Sequence, residues 1–175
     1  MRRQAIDSKH RAKRREPRAE ESAADFVSLV RRYVAVIDNA DDSTAVVDLL
    51  SASATLLPQI YAAGQGLPDV EPESGPSRHW PQVERPEKKL ESILANENLY
   101  FEIFDPFDKK SQVSTTLSND LSDVYLDLKH PLMTFDDGHI AEAIWQWKLN
   151  LQHHCGDHLV GAMKPIHWLI KKHLD

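Results

Sequence analysis

The polypeptide has 175 residues, 41% of them hydrophobic, and is long enough to bury a core of its own as one domain. Its six glycines include no glycine-rich phosphate loop, which excludes P-loop and dinucleotide-binding folds, and its single cysteine, Cys155, excludes an internal disulfide. The net charge of −6 hides a basic arm on an acidic body, so the body itself is no general binder of nucleic acid.

The arm comes first. Arg2, Arg3, Lys9, Arg11, Lys13, Arg14, Arg15 and Arg18 stand against Asp7 and Glu16, a balance of +6 that leaves −12 for the rest of the chain. Residues 1–21 hold almost no large apolar side chain and are expected to be disordered or a fraying helix, because burial there does not offset the entropy of ordering. No apolar stretch follows before Ala23, which argues against a secretory leader. No run approaches the roughly 18 apolar residues of a membrane span. With a lone thiol, this points to a reduced, cytoplasmic protein.

A single all-helical domain is expected over residues 22–175. Phe26, Leu29, Val30, Tyr33, Val34 and Ile37 recur at three- and four-residue spacing, one face of a first helix. Asn39 to Asp42 break it, and Ser43 is placed to cap the second. That helix carries Val46, Leu49, Leu50, Ser53, Leu57, Ile60 and Tyr61 inward, with Pro58 expected to kink or end it and Ala63 to Gly66 to stop it. Residues 66–86 are proline-rich and extended, anchored by Trp80. Pro86 opens a third helix supported by Leu90, Ile93 and Leu94. Leu99 to Phe104 reads as a helix end or an extended stretch, followed by a turn at Asp105 to Asp108 and a loop to Thr116.

A fourth helix, capped by Ser118, carries Leu121, Val124, Leu128 and Leu132, and Pro131 should bend or end it. After the turn at Asp136 to Gly138, helix starts near His139 and runs toward Leu174, with Gly156, Gly161 and Pro165 as breaks. Its inner face reads Ile140, Ile144, Trp147, Leu151, His154, His158 and Ala162. Nothing alternates at period two with β-branched enrichment, so the fold class is all-α, a bundle of about five helices.

The chemistry concentrates on the last two helical stretches. His154 and His158 at i and i+4 share a helix face, a spacing that offers two imidazoles to a divalent metal. Asp120, Asp123 and Asp127 fall at i, i+3 and i+7, one acidic stripe that an antiparallel neighbour brings to the histidines. The competing reading is a pair of core histidines satisfied by aspartate or backbone. No Glu-x-x-His, His-Glu-x-x-His or paired Cys-x-x-Cys pattern is present. Cys155 reads as a small buried thiol, about 100° around the helix from His154. Phe101, Phe104 and Phe107 read as core plugs, or as an interface if exposed. Trp145, Trp147 and Trp168 read as core or interface anchors.

Tyr100-Phe101-Glu102-Ile103-Phe104-Asp105-Pro106-Phe107, the stretch Asp120 to Lys129, Ala143-Ile144-Trp145-Gln146-Trp147 and His154-Cys155-Gly156-Asp157-His158-Leu159 together resemble the bacterial family known as domain of unknown function 5063, over about residues 22–168. The resemblance implies a compact helical domain and carries no activity and no catalytic residues. The leading expectation is therefore a non-enzymatic interaction or accessory module whose partner is another protein, with no organic cofactor. The alternative is a metal binder or metal-dependent enzyme using His154, His158, Asp120, Asp123 and Asp127. A third reading is a nucleic-acid-associated protein acting through residues 2–18.

Overall fold

In the computed structural model, residues 19–73, 82–108 and 110–174 are described; the basic side chains at 2–18 and Trp80 lie outside them. The described chain is mostly helical, 72%, with six α-helices, one 3₁₀ turn and a two-stranded sheet. The first helix, α1 (Ala19–Asn39), starts three residues before the expected Ser22. Its apolar stripe is buried at Phe26, Val30, Tyr33, Val34 and Ile37, and the Tyr33 hydroxyl donates to the Leu121 carbonyl at 2.9 Å, fastening it to the fourth helix.

Ser43 does not cap the second helix, α2 (Val46–Gly64). Its N–H and hydroxyl both donate to Asp41 Oδ1, at 2.8 and 2.6 Å, which makes Ser43 part of the preceding turn. Helix α2 continues through Pro58, whose ring stands on the exposed face and adds no bulk to the core; Tyr61, expected inward, is exposed as well. By length and composition α2 is apolar enough to cross a membrane, contrary to the expectation from the sequence. Here its buried Leu49, Leu50, Leu57 and Ile60 pack against α1 and the last helix.

Pro86 precedes α3 (Glu87–Leu94) as expected. The stretch after it departs from an all-α fold. Strand β1 (Leu99–Ile103) pairs antiparallel with β2 (Gln112–Thr116), Leu99 opposite Thr116 and Ile103 opposite Gln112. Asn98 ties the open end of the hairpin to the next helix: its carbonyl accepts the Leu117 N–H at 2.9 Å and its Oδ1 accepts the Ser118 N–H at 2.8 Å. Those are first-turn donors that a helix leaves unpaired. The N-cap of α4 (Leu117–Asp136) is Thr116, whose hydroxyl accepts the Asn119 N–H at 3.2 Å, and Ser118 lies inside the helix.

Helix α4 is central, packed on α1, α3 and the two helices that follow. It runs through Pro131 to Asp136. A proline at 131 supplies no N–H to the Asp127 carbonyl one turn back; Asn150 Nδ2 donates to that oxygen instead, at 3.1 Å. One residue on, the Leu128 carbonyl accepts Trp147 Nε1 at 3.0 Å. Both donors come from α5 (Ile140–His153), which Gly138, at φ +88°, connects to α4. The last helix, α6 (Cys155–Leu174), passes Gly161 and Pro165 without a break.

Candidate metal centre

His154 and His158 do not lie one turn apart on a continuous helix. His154 is the C-cap of α5, at φ −149° and ψ −80°, and α6 starts at Cys155. The chain bends there because Gly156 sits directly on the Leu151 carbonyl, where a Cβ would collide with the oxygen. The bend nevertheless stacks the two imidazoles edge to face, ring centres 4.9 Å apart. They stand at the rim of the core, His154 exposed and His158 half-buried, and not on an inner face.

Helix α4 presents its acidic stripe to them, with each histidine held by its own aspartate. His158 Nδ1 lies 2.9 Å from Asp120 Oδ1, and His154 Nδ1 lies 2.7 Å from Asp127 Oδ2. The third aspartate completes the group: His158 Nε2 is 3.5 Å from Asp123 Oδ2. One ligand atom from each of Asp123, His154 and His158 falls within 4.8 Å of the other two. In a tetrahedral site such atoms sit roughly 3.4 Å apart, so the trio needs to draw in by about an ångström. The exposed His154 ring has room for that movement.

A second layer fixes the carboxylates. Asp120 is buried, and its Oδ2 accepts the Tyr100 hydroxyl at 2.5 Å. Asp123 is held by Arg85 Nη1 at 2.6 Å and by Asn119 Nδ2 at 3.0 Å. Asp127 is steadied through its backbone by the Asn150 bond described above. From β1, the carboxyl of Glu102 rests on Gly161 of α6. Tyr100, Glu102, Arg85 and Asn119 escaped the reading of the sequence. The signal for the first two was the period-two spacing that places both on one face of β1.

Electrostatics follow from this arrangement. The Asp120 hydrogen bond raises the His158 pKa, against burial that lowers it and with help from the charges of Asp123, Asp120 and Asp127. Burial raises the Glu102 carboxyl, and the neighbouring Asp120 charge adds to the effect. Burial, then the Asp127 charge, pushes the Cys155 thiol upward, so it stays protonated and is no nucleophile. A raised histidine stabilises the fold while protonated. That contribution is complete below about pH 6.5, the ordinary histidine value, and is lost as pH rises through the higher folded value. Thermal melts of the metal-free protein should therefore show stability falling across that window, with the slope reduced in His158→Gln. An unchanged slope in the variant would assign the effect to other groups.

The family model that matches residues 17–172 is DUF5063, a domain of unknown function. The fold is similar to the crystal structure of protein BF1032 from Bacteroides fragilis, with a TM-score of 0.74 and 23% identity over 86% of this chain and 92% of that one. No curated protein matches the sequence.

Proposed function

The chain belongs to the DUF5063 family, and from the geometry of the α4–α6 face we propose that it is a divalent-metal-binding protein. Asp123, His154 and His158 are the ligands, and Asp120 and Asp127 orient the imidazoles. The observation that carries this reading is the pairing of each Nδ1 with its own carboxylate, at 2.9 and 2.7 Å. That pairing commits one ring nitrogen and leaves Nε2 of both histidines for a shared ion, the carboxylate–histidine–metal relay of many zinc sites. Two imidazole nitrogens and a carboxylate oxygen suit Zn²⁺ or a similar first-row ion. Three ligands leave a tetrahedral position open to water or a substrate. The local charge favours a dication too, since the charges of Asp123, Asp120 and Asp127 act on His158, and those of Asp120 and Asp157 on Glu102.

Asp120→Asn keeps the shape of the buried side chain but removes the charge that orients His158. Titration calorimetry with zinc should show one site per chain in the wild type and an affinity about 10- to 100-fold weaker in this variant. Equal affinities would leave Asp120 without the orienting role. Binding should also strengthen as pH rises, because a ligating imidazole is neutral; this trend is opposite in sign to the apo-protein stability.

The expectation of an interaction module with a protein partner has a separate support, the exposed apolar face of β1 and α6. The nucleic-acid reading rests on residues 2–18, outside the described residues.

A further inference from the structure

Strand β1 turns its polar residues inward and its apolar ones outward. Tyr100 and Glu102 face α4 and α6, while Leu99, Phe101 and Ile103 are each at least 60% exposed. Across from them on α6, Trp168 is 67% exposed. These side chains line one groove of about 740 Å³ between β1 and α6, whose α6 wall includes Gly161 and Pro165. Beyond Ile103 the hairpin tip carries Phe104 and Phe107, the latter 96% exposed.

Hydrogen bonds brace the described residues of the tip. Asp105 Oδ1 accepts the Phe107 N–H at 2.9 Å. The Ser111 hydroxyl accepts the Asp105 N–H and donates to the Asp105 and Asp108 carbonyls, at 2.7 to 2.9 Å. An aromatic held outward on a braced turn has already met part of the ordering cost of binding.

From this arrangement we propose that the face is a self-association surface, on which the Phe107 tip of one copy seats in the β1–α6 groove of a second copy across a two-fold axis. The groove has two unlike ends. Glu102 lies at Gly161 and Glu97 bonds Lys172 and His173 at 2.8 Å, so β1 and α6 run in opposite directions. The tip, with Asp105, Asp108 and Lys110, lies beyond the Ile103 end. Trp168, with Lys171 near its ring, and the Lys172–Glu97 pair lie at the Leu99 end. A two-fold axis reverses one copy against the other, so each tip meets the far end of the partner groove. Phe107 then approaches Trp168, and Asp105 and Asp108 approach Lys171 beside it. Both halves of the contact are satisfied at once, as an isologous interface requires. The four exposed aromatics offer roughly 600 Å². With Leu99 and Ile103 that approaches the about 800 Å² per partner of a standard interface.

The test is sedimentation equilibrium on the full chain from low to high micromolar concentration, with circular-dichroism melts as the folding control. The wild type should dimerise. Phe107→Ser and Phe101→Ser, both at exposed positions, should be monomers with unchanged melting. Mixing a Phe107→Cys chain with a Trp168→Cys chain should give a mixed disulfide under oxidation, since the native Cys155 is buried. A wild type that is monomeric throughout leaves the face to some other protein and overturns the proposal. So does a dimer indifferent to both serine variants, or one that disappears when residues 1–18 are deleted, which would make the basic arm the occupant.

Discussion

His158→Ala should lower zinc affinity by at least about 100-fold, more than removal of an outer carboxylate does, while His153→Ala leaves it unchanged. His158 is the hinge of the site. Its Nδ1 is taken by Asp120 and its Nε2 points to Asp123 at 3.5 Å, so one substitution removes a ligand and frees the buried carboxylate that held it. The Tyr100 hydroxyl then becomes the remaining side-chain hydrogen-bond partner of Asp120, which should also cost stability, of order 1–3 kcal/mol. Because a merely unfolded variant would also fail to bind, the comparison belongs with His154→Ala. His154 is exposed, so its loss should weaken metal binding with little change in melting. Unaltered zinc affinity in both histidine variants would place the ion elsewhere or nowhere.

Gly156→Ala is expected to be the costliest glycine-to-alanine change among the described residues, destabilising by about 3 kcal/mol, at the upper end of the range for overpacking. A Cβ at that position collides with a backbone oxygen, Leu151 O, and backbone does not swing aside as a side chain does. Gly161→Ala is the informative contrast. There the obstructing group is the end of the flexible Glu102 side chain, so the loss in melting should be small. Chemical denaturation of the two variants checks the ranking. Equal costs would mean that the α5–α6 bend is soft, and the mutual placement of His154 and His158 with it.

The parts of the fold legible in the sequence are those whose stabilising contacts lie within one helix. The stripes of α1 and α4 repeat at three and four residues, and Val30, Ile37, Leu121, Val124 and Leu128 are buried as that spacing requires. The helix ends allowed for at Pro58 and Pro131 do not occur. Pro131 does not end α4 because Asn150, 19 residues further on, supplies the donor that proline lacks, and local sequence carries no sign of it. Leu99 to Ile103 takes the extended of its two expected forms, and its pairing into a hairpin is hidden because its amphipathicity is inverted, with Leu99, Phe101 and Ile103 facing out. Of the two readings of Phe101, Phe104 and Phe107, that of core plugs fails, because they are the most exposed aromatics of the hairpin. The meeting of the histidines with Asp120, Asp123 and Asp127 followed from the spacing on α4 and the packing of an antiparallel neighbour. His154 and His158, expected one turn apart on a single helix, meet instead across the break between α5 and α6. Tyr100 and Arg85 reach the site from distant segments, so no spacing rule relates them to it.

By this proposal one divalent ion is held between Asp123 of α4 and the two histidines at the α5–α6 bend. Anomalous diffraction at the zinc edge, on crystals of the full chain grown with zinc, addresses it most directly. The predicted result is a single strong peak about 2.0–2.2 Å from Nε2 of His154, Nε2 of His158 and a carboxylate oxygen of Asp123, with the Nδ1 contacts to Asp127 and Asp120 retained. Zinc bound only at other residues, or no peak while His158 still bridges Asp120 and Asp123, would contradict it and leave the cluster as an ion-pair lock between two helices.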